Sequence, residues 1–155
     1  MFISAGPLHA YLAGAGRDSR GRLIEDVLAL SDERLEAIHD YIQWLFPLPT
    51  RSAAQPDAPT LTAAEIQAIR ADNRAADNLL RAMDRMLRFY GGTNGWLTPH
   101  DHNHLRITRI IRSLRVLLGP DPAQRFHRAI LALNDAAGSP VNAASLRFWA
   151  EAAEE

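Results

Sequence analysis

"HDYIQWLFPLP", His39 to Pro49, packs Tyr41, Trp44 and Phe46 among aliphatic residues and closes on two prolines. Upstream, Ser31 has the chemistry of an N-cap, and Asp32 and Glu33 follow where a helix dipole favours acids. The sequence predicts one helix through "DERLEAIHDYIQWLF", ended by Pro47 and Pro49, because proline disfavours helical geometry in the residue before it. At 100° per residue, Leu35, Ile38, Tyr41, Ile42, Leu45 and Phe46 fall on one apolar stripe, which reads as core. His39 lies at its edge. Gln43 and Trp44 lie off it, so Trp44 needs a second surface, either the crossing at 47–59 folded back over it or a groove that it lines.

The rest of the chain carries helix signals and no strand signal. "PLHAYLAG" and "RLIEDVLAL" read as short helices. A Pro-rich crossing, "PLPTRSAAQPDAPTL", is expected to be stiff and packed. "TAAE" at 62–65 has the pattern of a capping box, opening a long helix over about 63–90, with a break near Asp72-Asn73 and an end at Gly91-Gly92. Thr98-Pro99 reads as a further helix start. "HLRITRIIRSLRVLL" is helical with a core stripe of Ile107, Ile110, Ile111, Leu114, Leu117 and Leu118. Asp121-Pro122 reads as the cap and first residue of another helix, and "NAASLRFWAEAAEE" as the last. The expectation is an all-α, compact single-domain bundle over 1–155. It would have about six to seven helices, one of them a long central helix, and a Pro-rich crossing.

Composition narrows the chemistry. With 155 residues and a formal charge of −1, the chain can bury a core and has no global field to attract nucleic acid. Cysteine is absent, which excludes disulfides, thiolate metal sites and cysteine nucleophiles. All 17 basic residues are arginine, so lysine Schiff-base chemistry is excluded too. No membrane span or signal peptide is read, and the cytoplasm is the expected location.

Three constellations bear on function. Arg70, Arg74, Arg81, Arg85 and Arg88 share one helix face and suit phosphates or carboxylates, or else form a solvated face with Asp77–Arg81 and Asp84–Arg88 pairs. "HDHNH" at 100–104 offers imidazole ligands, so His100, His102 and His104 are weak metal candidates. Their spacing matches no closed metal motif, and no metal or cofactor is expected. A hydrolase built on His39-Asp40 finds no nucleophile motif.

The residues resemble a known family, the conserved domain of the opioid growth factor receptor. "HDYIQWLFPL" (39–48) is similar to its signature block, with "IED" (24–26) and "RLE" (34–36) upstream. "LTAAEI" (61–66), "RMLRFYG" (85–91) and "HNHLRITRII" (102–111) follow in the family's order. "RFW" (147–149) resembles the ending of bacterial-looking members. The resemblance is strongest over 20–150. It implies a helical domain, and its animal members are named for binding the enkephalin pentapeptide. The expected function is therefore a non-enzymatic binding module for a peptide, a small anionic ligand or a protein partner. The alternatives are an Arg-rich scaffold for protein or nucleic acid, and a metal-dependent enzyme using His100–His104. Within the signature blocks, His39, Tyr41, Gln43, Trp44, His102, Asn103, Arg106 and Arg109 are the expected ligand-binding residues, with the two helices meeting in a shared patch. Arg106 has a second reading, an internal pair with Glu25, Asp26 or Asp40.

Overall fold

The computed structural model describes residues 2–154, and all regular structure among them is helical. The chain divides into two compact units, Met1–Ala82 and Met83–Glu155. None of the described helices is long and apolar enough to cross a membrane.

Unit one begins with α1 (Pro7–Leu12), α2 (Ile24–Leu28), α3 (Asp32–Ala37) and α4 (Ile42–Leu45). The expected helix over 32–46 is thus two pieces. Ser31 caps α3 as its sequence predicts, accepting from the Arg34 amide at 3.2 Å. At Ile38 the backbone turns extended, with φ −90° and ψ 135°. Two side chains account for the break. The Tyr41 hydroxyl donates to the Leu35 carbonyl at 2.8 Å, taking an acceptor that a continuous helix gives to the amide four residues on. The Asp40 carboxylate is held by Arg22 at 2.8 Å and by Arg20 at 3.2 Å. The 100° stripe therefore does not persist through the segment. Residues 41–48 are all buried, Gln43 and Trp44 included, whereas Ile38 is only half-buried. Trp44 packs edge-on against Tyr11 of α1, with ring centroids 5.5 Å apart.

The crossing is exposed over much of 49–60 and is anchored where the Leu61 amide donates to the Leu48 carbonyl at 2.9 Å. It is less packed than expected, because its prolines and small polar residues bring little apolar surface. α5 (Ala63–Ala71) opens with the expected capping box between Thr62 and Glu65. The same Glu65 carboxylate reaches α1, where Oε2 accepts from the Leu8 and His9 amides at 2.8 and 3.1 Å. One buried acid thus closes the free amides of two helix starts. Gly6 is required beside it, since a Cβ there would lie 2.5 Å from that carboxylate.

The break at Asp72 is real, and α6 runs from Asn73 to Gly92, ending at the expected glycine pair. Asp72 Oδ1 accepts from the Arg74 and Ala75 amides at 3.0 and 3.4 Å, capping α6. Arg81 forms a two-pronged pair with Glu25 of α2 in place of the predicted partner Asp77.

Unit two contains the end of α6, then α7 (Asn103–Leu118), α8 (Pro120–Ala136) and α9 (Ala143–Glu154). α7 packs against both α8 and α9. Of its predicted stripe, Ile107, Ile110, Ile111, Leu114 and Leu117 are buried, and Leu118 is only half-buried. Thr98-Pro99 does not start a helix, for the Thr98 hydroxyl turns to the His100 carbonyl at 3.1 Å. Asp101 performs the opening instead, accepting from the Asn103 amide at 3.0 Å. α8 likewise starts earlier than expected. Gly119, at φ 92°, is its cap, Pro120 is its first residue, and Asp121 falls in the first turn. Proline needs no amide partner and has its φ preset, so the helix can begin directly on it.

Candidate functional site

The "TNGWLTPHDH" loop (93–102) between α6 and α7 lies beside the start of α9, and Asn142 joins them. Its Nδ2 donates to the Pro99 carbonyl at 2.6 Å and to Ser145 Oγ at 2.9 Å. Its Oδ1 caps α9 by accepting from the Ser145 amide at 2.8 Å. His104, in the first turn of α7, is buried beneath this junction. Its Nε2 lies 2.8 Å from the Trp96 carbonyl, an acceptor only, so Nε2 carries the proton. The bare Nδ1 then faces the Ser145 hydroxyl at 3.5 Å. Trp149 fixes the same turn, donating from Nε1 to the His104 carbonyl at 3.0 Å and standing edge-on to the imidazole.

Above this network lies an open cleft of about 470 Å³. His100, Asp101, His102 and His104 line one side, Leu105 and Thr108 continue along α7, and Asn142, Ser145 and Phe148 complete it. Leu105 and Phe148 are 74% and 41% exposed, so two large apolar side chains meet solvent at the rim of one concave surface.

The expected site residues separate into distinct settings. His100, His102 and His104 line the cleft, yet among the described residues no three His, Asp or Glu side chains form a group able to hold a metal ion. His104 is committed to Trp96, while His102 Nδ1 lies 3.7 Å from Asp101. Asn103, next to the cleft, is fully buried. Its Oδ1 accepts from the Tyr90 hydroxyl at 3.3 Å and its Nδ2 donates to Asp101 at 2.9 Å. Arg106 and Arg109 do not line the cleft. Arg106 is buried, and burial pushes Arg109 down to about 10.

In unit one, Tyr41, Gln43 and Trp44 are buried and His39 is exposed. The acids offered as internal partners for Arg106 all meet other groups within unit one. Glu25 meets Arg81, Asp26 accepts from the Leu23 amide, and Asp40 meets Arg20 and Arg22. The Arg face is not uniformly solvated either, since Arg85 is buried.

Sequence reasoning missed Leu105, Thr108, Asn142, Ser145 and Phe148. Leu105 carried a usable signal, an apolar residue off the α7 stripe. Asn142 ahead of "AAS" carried another, the pattern of a cap followed by a first-turn hydroxyl. Phe148 had none, because only the packing of α9 determines which of its apolar residues face outward.

These observations define an all-helical protein with an apolar-rimmed cleft in its second unit. Residues 19–94 match the family described as the opioid growth factor receptor (OGFr) conserved region. Among curated proteins, the chain is similar to the opioid growth factor receptor of Rattus norvegicus, 38% identical over 115 residues, covering 61% of this chain and 20% of the relative. The Homo sapiens receptor is 36% identical over 115 residues, covering 61% of this chain and 17% of the relative. Opioid growth factor receptor-like protein 1 of Mus musculus is 36% identical over 99 residues, covering 53% and 21%. The chain thus spans about a fifth of the length of these relatives. No solved structure matches it.

Proposed function

We propose that the chain is a non-enzymatic binding module whose contact surface is the unit-two cleft, and that its ligand is a short peptide segment bearing an exposed apolar side chain. The carrying observation is the pairing of Leu105 and Phe148 on the rim of a cavity with a polar floor. Such a surface removes apolar area from water at its edge and orients a ligand by hydrogen bonds at its base. Asn142, Ser145 and His104 bond to one another and to backbone carbonyls, so the floor is preorganised. The relatives are named as receptors for a growth factor, which supports a recognition role here while leaving this chain's own ligand to experiment.

Within this reading, Asn103 is a buried support of the cleft and His102 is the expected site residue that meets ligand, while Tyr41, Gln43 and Trp44 are buried within unit one. Titration of the isotope-labelled protein with N-acetyl-phenylalanine amide and N-acetyl-leucine amide tests the proposal. Amide shifts are expected at Leu105, Thr108, Ser145 and Phe148, and are expected to vanish in Phe148→Ser. Shifts scattered elsewhere, or none at millimolar probe, reject the cleft.

A further inference from the structure

Among the described residues, the arm ahead of α1, residues 2–5, meets the fold at the imidazole of His9. His9 is buried in α1, and both ring nitrogens are engaged. Nδ1 lies 3.0 Å from the Ala5 amide, a donor, so Nδ1 is unprotonated. The one proton of the neutral ring is therefore on Nε2, which donates to Asp72 Oδ2 at 2.9 Å. Phe2 packs on the ring, with centroids 5.1 Å apart. Phe2 and Ile3 are both exposed, so little burial holds the arm apart from this contact.

We propose that His9 is a proton-operated latch. A second proton on the ring must sit on Nδ1, where it meets the Ala5 N–H donor to donor. That replaces an attractive contact by a repulsive one and releases residues 2–5, while Gly6 stays bonded to the Ala10 amide. The ring itself stays in place, because Nε2 keeps its bond to Asp72 and the imidazolium gains a charged partner. The remaining ionisable groups around it do not undo this. Glu65 of α5 is occupied by the Leu8 and His9 amides and holds α1 where it is. Arg74 meets Asp72 through its backbone amide, on the oxygen that His9 does not use. The residues of α4 (Ile42–Leu45) include no ionisable side chain.

The closed arm opposes protonation and Asp72 favours it, so the two contributions separate by mutation. Ala5→Pro removes the donor and frees Nδ1, so the titration midpoint of His9 rises. Asp72→Asn removes the anion, so the midpoint falls. The arm is closed at high pH and opens as pH falls through that midpoint.

The test is nuclear magnetic resonance on the full chain between pH 8 and pH 4.5, combining the ring nitrogen shifts of His9 with hydrogen exchange at the Ala5 amide. At high pH the Nε2–H tautomer is expected. Across the His9 titration, Ala5 exchange, corrected for its intrinsic pH dependence, should rise at least about tenfold, as loss of one protecting hydrogen bond implies. Amides in the core of unit one, such as Leu79, should keep their protection. The latch is overturned by an Nδ1–H tautomer, by a His9 titration that leaves Ala5 unchanged, by a ring that stays neutral down to pH 4.5, or by Leu79 losing protection together with Ala5.

Discussion

Glu65 is the residue on which two helix starts converge. A buried carboxylate accepting backbone amides from α1 and from its own cap cannot be removed without stranding donors away from water. Glu65→Ala is expected to destabilise the protein by on the order of 3 kcal/mol, read by urea denaturation. Glu65→Gln should cost less, since the amide oxygen retains part of the acceptor role. His127 gives a pH-dependent counterpart. Burial holds its imidazole below the ordinary range, with Glu154 opposing and Arg128 adding to the shift. A base with a depressed folded value favours the neutral ring. Its contribution is present above the unfolded histidine value of about 6.5 and is lost as pH falls from there through the folded value. His127→Gln should therefore flatten the acid side of the stability curve, and an unchanged slope would show that burial does not control this ring. At this scale two caps were legible and two were not, since Thr98-Pro99 starts no helix and Asp121 falls inside the first turn of α8. Ser31 and the Thr62–Glu65 box act locally, so three or four residues suffice to identify them. The reach of Glu65 to α1 was not legible, because its partners lie 56 and 57 residues away.

Elements were legible wherever helical periodicity continued unopposed, as along α7, where the core stripe emerged as read up to Leu117. They were not legible where a side chain diverts a backbone acceptor. The α3–α4 break is such a place, since the Tyr41 hydroxyl occupies the Leu35 carbonyl. Periodicity counts Tyr41 as one more apolar residue on a stripe and has no account of what its hydroxyl does. Tyr41→Phe is expected to lose about 1 kcal/mol, the net worth of one buried hydrogen bond. It should not convert 38–41 into helix, because Arg22 and Arg20 still hold Asp40. Circular dichroism unchanged in helix content, with a lowered unfolding midpoint, is the expected outcome. A gain of helix would show that Tyr41 alone maintains the break. The cleft belongs to the same scale. Its histidines stood together in the sequence, but its other wall comes from Asn142, Ser145 and Phe148, about 40 residues further on. Only the packing of α7 against α9 brings that wall within reach.

For the whole molecule the informative quantity is charge. Seventeen arginines in a chain of formal charge −1 imply that each basic group has acids near it on average. Arg22 takes Asp18 and Asp40, and Arg81 takes Glu25. The pull of Arg81 lowers Glu25 below the usual carboxylate range, and the pull of Glu25 raises Arg81. Both side chains of that pair are about half exposed, so the pair contributes little to stability and is screened by salt. Its consequence lies in what the surface offers to a polyanion. Arg81 is already neutralised, and Arg85 is buried, so the face that the sequence presents as a row of five cations is interrupted in its middle. A scaffold that bound nucleic acid through this row would need those two positions. The protein should therefore elute from a heparin column below about 0.15 M salt, where a Debye length of about 8 Å leaves isolated surface charges weakly felt. Glu25→Gln frees Arg81 and should delay elution slightly, whereas Arg81→Glu should leave the already weak retention nearly unchanged. Strong retention by the unmodified protein, abolished by Arg81→Glu, would overturn this assignment and restore the Arg row as a binding face.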